Sequence, residues 1–199
     1  VNVFAAHDLI AIDPERFIAI RDVPAWVSGA LSRSPWVVVR RQAEPLGIAV
    51  GVRGTVRSER FAGRVDVSDV LDVRRPEDLH ERRPGSALDD AYGLVRTAAI
   101  SLDLACGPTG AYGFELASGR LTTHPGSDLD VIVRADGAPR AALLAFARRC
   151  VAIGLKTGVM VDAEATFGAR GIALAELALG SPRVIAKTPN GPELIACPM

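Results

Sequence analysis

The chain has 199 residues, 49% of them hydrophobic, and its 23 basic and 23 acidic side chains cancel to a formal net charge of zero. That apolar share can bury a core and argues against disorder. The neutral balance counts against a general nucleic-acid-binding protein, and no apolar run reaches the roughly 18 residues of a membrane-spanning helix.

In chain order, "HDLIAID" opens the sequence and a short helix is predicted around "PAWVSGALS". The Val37-Val38-Val39 run in "PWVVVRRQ" reads as a strand, as does "LGIAVGVRG". "FAGRVDVSDVLDV" alternates in part. The stretch "VRRPEDLHERRPGSALDD", residues 73 to 90, holds three charge clusters and two prolines with almost no apolar periodicity. It is expected to be a linker or exposed helix–turn dividing the chain near residue 80.

Beyond it, Leu88, Ala91, Leu94, Val95, Ala98 and Leu102 recur at helical spacing. Ser86 and Asp89 form a capping pattern at the start of that helix. "CGPTGAYGFELASG" reads as a glycine-rich loop and "DLDVIVR" as a strand. "APRAALLAFARRCVAIGL" reads as a helix, with an early proline and later glycines. "VMVDAEATFG" is a second strand, and "IALAELALG" a short helix or a strand that turns into one. "RVIAKTPNGPELI" reads as a hairpin about Asn190-Gly191. The expected class is α+β: a small N-terminal α+β domain over residues 1–80, then a mixed sheet with flanking helices over 85–199.

Three cysteines, Cys106, Cys150 and Cys197, are widely spaced and form no zinc-like or redox pair. Idle thiols in a reducing compartment are expected. The first residues show no basic region followed by an apolar stretch, so a cytoplasmic enzyme or binding protein is the default.

The strongest chemical signal is "HPGSDLDVIVR". In an extended strand, Asp128, Asp130 and Ile132 share one face while Leu129, Val131 and Val133 face a core. Two carboxylates about 7 Å apart resist joint ionisation, and a divalent cation removes the conflict. Magnesium suits hard oxygen ligands and a phosphate-bearing substrate. The competing readings are a helix capping box from Ser127 to Asp130, which the β-branched run disfavours, and a solvated strand start. In "VMVDAEA", Asp162 and Glu164 share a face, and either can supply a third carboxylate if that strand pairs with the first. Three carboxylates can hold two magnesium ions about 3.5–4 Å apart. "GPTGAYG" lets backbone N–H groups approach phosphate closely.

With these residues in view, the helix, glycine turn, D-x-D strand and later single carboxylate resemble the DNA polymerase β-type nucleotidyltransferase superfamily. "GPTGAYGFELASG…SDLDVIVRA", with "PWVVVRR", "GVRG" and "HDL" upstream and "VDAEATFGARGIALAELA" downstream, is similar to the malonate decarboxylase holo-acyl-carrier-protein synthases. These are phosphoribosyl-dephospho-CoA transferases. The resemblance implies a donor, triphosphoribosyl-dephospho-CoA, and an acceptor, a serine of the acyl-carrier subunit of malonate decarboxylase, with diphosphate released. It implies Asp128 and Asp130 as the catalytic pair, and Asp162 beside them as metal ligand for Mg2+. It implies Gly110 as the glycine of the phosphate turn. Ala111 stands where serine is usual, so one hydroxyl donor is lost, and Ser127, after Gly126, is a candidate to compensate. Neither a nucleic acid nor a membrane is expected as partner. The alternatives are a nucleotidyltransferase using another donor such as ATP, or a nonenzymatic protein that binds the donor or the carrier.

Other residues carry weaker signals. Arg40, Arg41 and Arg53 can grip donor phosphates or end strands in solvent. Arg57, Arg60 and Arg64 form a basic stretch that can meet an acidic carrier, or a plain surface loop. His7-Asp8 reads as structural rather than as a catalytic dyad, and His124 as a loop residue. Trp26 and Trp36 read as core or interface side chains.

Overall fold

The computed structural model describes residues 4–42, 46–56, 58–80 and 85–198. Two six-stranded sheets follow one another along the chain, and the α+β expectation holds. The first contains β1 (Leu9–Ile12), β2 (Ile18–Ala19), β3 (Trp36–Val39), β4 (Ile48–Arg53), β5 (Arg60–Val65) and β6 (Val70–Arg74), in the order β2-β5-β4-β3-β1-β6. Every pairing in it is antiparallel. Helix α1 (Ala25–Arg33) packs against it. Val27, Leu31, Val37, Val39, Val50 and Phe61 form part of the core between them. The stretch "FAGRVDVSDVLDV" is therefore two strands, separated by a 3-10 turn at Val67–Asp69.

The second sheet contains β7 (Cys106–Pro108), β8 (Leu129–Arg134), β9 (Val161–Phe167), β10 (Arg170–Ala173), β11 (Arg183–Thr188) and β12 (Gly191–Ala196), in order from β12 to β7. Its helices are α2 (Ala87–Ile100), α3 (Gly110–Ser118), α4 (Arg140–Thr157) and α5 (Leu174–Ala178). Only β8 and β9 run parallel, with α4 as the crossover that parallel neighbours require. Leu129, Val131, Val133, Ala163 and Ala165 turn toward Leu143, Phe146 and Cys150 in one buried core. The opposite residues of β8 and β9 are left to face the first sheet.

Ser86 caps α2 by accepting from the Asp89 amide at 3.1 Å. The "IALAELALG" segment is the strand that turns into a helix, β10 into α5. The hairpin also forms, but Thr188 pairs with Gly191, so Pro189 and Asn190 make its turn. The glycine-rich segment is not a loop: β7 passes directly into α3. Glycine permits this, since a Cβ on Gly113 would stand 2.4 Å from the Pro108 carbonyl oxygen. Gly119, in the left-handed conformation, ends the helix.

The segment after residue 73 is likewise packed rather than a loose linker. Val73 and Arg74 belong to β6, and Pro76 and Leu79 are buried. Gly107 makes room for it, because a Cβ there would stand 1.9 Å from the Pro76 carbonyl carbon. The Tyr92 hydroxyl donates to the Leu79 carbonyl at 2.6 Å. Residues 81–84 of the expected linker, and Arg57 of the basic stretch, lie outside the described residues. Trp36 packs against the second core and carries the Arg74 guanidinium over its ring at 4.9 Å. No described helix is long and apolar enough to cross a membrane.

Candidate functional site

Where the two sheets meet there is a cavity of about 550 Å³. The second sheet contributes Thr109, Gly110, Asp130, Asp162, Glu164 and Lys187 to its wall, and the first contributes His7, Arg40, Gly51, Arg60 and Ala62. Parallel pairing sets Asp130 opposite Asp162 and Ile132 opposite Glu164. Both aspartates therefore project from the same sheet face at neighbouring positions.

Asp130 is seated against the start of α3. Gly110 has φ 59°, and a Cβ there would stand 1.8 Å from Asp130 Oδ2. The Thr109 amide donates to the Asp130 carbonyl at 2.8 Å, tying the helix start to β8. Gly110 thus serves both the turn and the space the carboxylate occupies.

Glu164 is engaged differently from the aspartates. It is only 7% exposed, and it accepts from Arg41 at 2.5 Å and Lys187 at 2.8 Å, with His7 Nε2 at 3.3 Å. Burial pushes its carboxyl upward, but hydrogen bonds from His7, Lys187 and Arg41 outweigh this and hold it well below the usual carboxylate range. Gly171 leaves space for the cluster, as a Cβ there would stand 2.1 Å from Glu164 Oε1. Of the two residues that competed as third carboxylate, Glu164 is occupied as an anchor between the sheets, while Asp162 is exposed in the cleft.

The adjoining residue pair at the chain's start serves the same junction. His7 has φ 78°, a left-handed conformation that sends successive residues to different partners. His7 meets Glu164, whereas Asp8, 1% exposed, accepts from Arg134 Nη2 at 3.1 Å. Arg134 also donates to both Glu77 oxygens at 3.2 Å. Burial raises the Asp8 pKa, against the Ala5 amide and Arg134, which lower it. The two residues do not form a dyad with each other.

Several expected site residues stand elsewhere. Asp128 is exposed and precedes the first residue of β8; it does not line the cavity. Ser127 Oγ accepts from the His124 amide at 2.9 Å, closing a turn in which Gly126 has φ 86°. Neither Gly126 nor Ser127 lines the cavity, and neither does Ala111, whose carbonyl accepts from Thr122 Oγ1 at 2.8 Å. Ser127 Oγ thus has the His124 amide as its partner. Buried Glu115, on α3, was not singled out from the sequence; it accepts from Thr122 and Thr123 and holds the return toward β8. Cys106 and Cys150 are buried, and burial pushes the Cys150 thiol up to about 12.

Among the described residues, no three His, Cys, Asp or Glu side chains stand together as a metal cage. Asp130 and Asp162 nevertheless fit magnesium, which is commonly bound by one or two carboxylates with the rest of its shell from water and substrate phosphate. The Asp130 carboxylate lies where a Gly110 side chain would displace it.

A carboxylate pair, a helix start and the arginines Arg21, Arg40 and Arg60 thus share the wall of one cleft, a set with the chemistry that phosphate recognition uses. Comparison with known proteins narrows this. Residues 74–198 match the family model described as Phosphoribosyl-dephospho-CoA transferase MdcG C-terminal domain, and residues 5–76 match that of the MdcG N-terminal domain. A phosphoribosyl-dephospho-CoA transferase of Pseudomonas aeruginosa (strain PAO1) is 39% identical over 182 residues, covering 89% of this chain and 85% of that protein. One of Pseudomonas putida is 35% identical over 201 residues, covering 100% and 96%. One of Klebsiella pneumoniae is 30% identical over 200 residues, covering 96% and 94%. No solved structure matches. The chain belongs to the phosphoribosyl-dephospho-CoA transferase family, and the expectation of a transferase holds.

Proposed function

We propose that this transferase moves the phosphoribosyl-dephospho-CoA group from triphosphoribosyl-dephospho-CoA to a serine hydroxyl on the acyl-carrier subunit of malonate decarboxylase. The serine oxygen attacks the donor phosphorus next to the ribose. A phosphodiester forms, the bond to the outer two phosphates breaks, diphosphate leaves, and the serine proton is released. The observation that carries this reading is the register pairing of Asp130 with Asp162 in a basic cleft beside Gly110.

Asp130 and Asp162 would hold Mg2+, and Asp128, at the mouth of the same strand, is the further carboxylate of the motif. Bound magnesium would supply charge neutralisation for the leaving diphosphate and lower the pKa of the attacking hydroxyl. Gly110 opens the start of α3 so that backbone N–H groups can meet a phosphate. Glu164, fixed by Arg41, His7 and Lys187, holds the first sheet over the carboxylates. The N-terminal unit of residues 1–80 would hold donor or carrier against the catalytic unit of residues 85–199, in the cytoplasm.

The test is intact-mass analysis of the purified carrier subunit after incubation with enzyme, magnesium and either triphosphoribosyl-dephospho-CoA or ATP. The expected result is an added mass matching phosphoribosyl-dephospho-CoA, with one diphosphate released per carrier. An adduct from ATP alone, or donor binding without diphosphate release, refutes the reading.

A further inference from the structure

Alternation sorts the first sheet into two faces. Val37, Val39, Val50, Val52, Phe61 and Val65 turn inward, with α1 against them. On the other face, register sets Val38 opposite Gly51, Gly51 opposite Ala62 and Arg53 opposite Arg60. Arg40 follows on this same face: its amide donates to the Ala49 carbonyl at 2.8 Å, and its Cγ and Cδ lie 3.6 Å from where a Gly51 Cβ would stand. The outcome is a floor of small side chains, Gly51 and Ala62, between Arg40 and Arg60. All four line the cavity that contains Asp130 and Asp162.

Arg40 and Arg60 are exposed, so neither completes a core. Register also sets Arg60 directly across from Arg53, so two cations occupy facing positions. Arg21, which also lines the cavity, adds another cation over the Phe61 ring at 5.2 Å. A phosphate chain suits such a wall. Guanidinium forks match phosphate oxygens two at a time, and a floor without bulky side chains lets the phosphates come close.

We propose that this face of the first sheet is the phosphate wall of the cleft, with Arg40 and Arg60 on either side of the Gly51–Ala62 floor binding the outer two phosphates of the donor. The choice of donor rests on the function proposed above; the wall itself requires only a phosphate chain. These arginines then hold the leaving group, and the opposite sheet handles the phosphorus that is attacked.

The test titrates inorganic tripolyphosphate into the whole protein by calorimetry, comparing wild type with Arg40→Ala, Arg60→Ala and the double variant. Arg148→Ala, an exposed position on α4, controls for lost charge. Each cleft variant is expected to bind about tenfold or more weakly, the double variant more weakly still, and Arg148→Ala like wild type. All should melt within a few degrees of wild type. With the true donor, KM should rise in the cleft variants more than kcat falls. No binding by wild type, unchanged binding in both single variants, or an equal loss in Arg148→Ala overturns the proposal. If the carrier proves to be loaded from another donor while tripolyphosphate binding still depends on Arg40 and Arg60, the donor assignment fails and the wall stands.

Discussion

Asp130 and Asp162 occupy directly paired positions on the parallel strands β8 and β9, so two carboxylates separated by 31 intervening residues face one cleft together. Glu164, two residues further along β9, is held by three basic side chains. Asp130→Asn and Asp162→Asn should each lower transfer on the order of a hundredfold or more with the melting temperature little changed. Asp128→Asn should also lower transfer: Asp128 does not line the cavity, but it stands two residues from Asp130 in the same motif. Single-turnover carrier loading with matched circular dichroism checks all three. Full turnover in Asp130→Asn would remove the basis of the site.

Gly110→Ala tests the seat of Asp130. A methyl group there falls 1.8 Å from Asp130 Oδ2, in a backbone region that L-residues rarely adopt. The carboxylate must move or the turn must open. Stability should fall by about 1 kcal/mol, while transfer falls at least as far as in Asp130→Asn. A variant that unfolds earlier but loads carrier at the wild-type rate would show that the position of this carboxylate is unimportant.

Glu164 links the two sheets and gives acid lability a specific source. Its pKa in the folded protein lies below the model-compound value of 4.5. Its stabilisation is therefore fully present above about pH 4.5 and is lost as pH falls toward the folded value. Asp8, with its raised pKa, works in the opposite sense: its contribution favours the fold increasingly as pH drops. Glu164→Gln should destabilise the protein near neutral pH by on the order of 3 kcal/mol, because the half-buried Arg41 loses its charge partner. It should also flatten the acid side of the stability–pH curve. Urea unfolding between pH 3 and pH 7 reads both effects; parallel curves for wild type and variant would rule out this source.

Gly107→Ala addresses the segment that joins the sheets. The added methyl would stand 1.9 Å from the Pro76 carbonyl carbon. Backbone cannot give way as a flexible side chain does, so a loss of about 1–3 kcal/mol is expected. Loosened docking should show as faster amide exchange at Leu79, whose amide donates to the Pro76 carbonyl at 3.1 Å. Wild-type exchange in a folded variant would mean that this contact does not hold the segment.

The elements legible in the sequence were those with strong local periodicity. Helices α2 and α4, strand β8 and the terminal hairpin all follow from spacing, capping or turn residues. Two segments misled because their determinants are remote. α3 is dense in glycine, which ordinarily signals a loop, yet Gly113 is small because the helix lies on the Pro108 carbonyl. Residues 73–80 look like a charged linker, yet Glu77 is charged because Arg134 receives it. The turn closed by Ser127 was not legible either, because a hydroxyl after Gly126 suits a turn and a phosphate equally.

By itself the amino-acid sequence determined the chemical inventory and much of the local structure: a carboxylate motif on a β-branched strand, glycines where backbone must come close, and a family pattern spanning the chain. Tertiary structure alone decided which carboxylates share a cleft, that Glu164 is bound by cations while Asp162 is exposed in that cleft, and that arginines of the first sheet line the same cavity. Local sequence encodes side-chain direction within a strand, because alternation is a property of the backbone. Strand register and sheet-to-sheet docking depend on contacts between residues far apart in the chain, and no local pattern contains them.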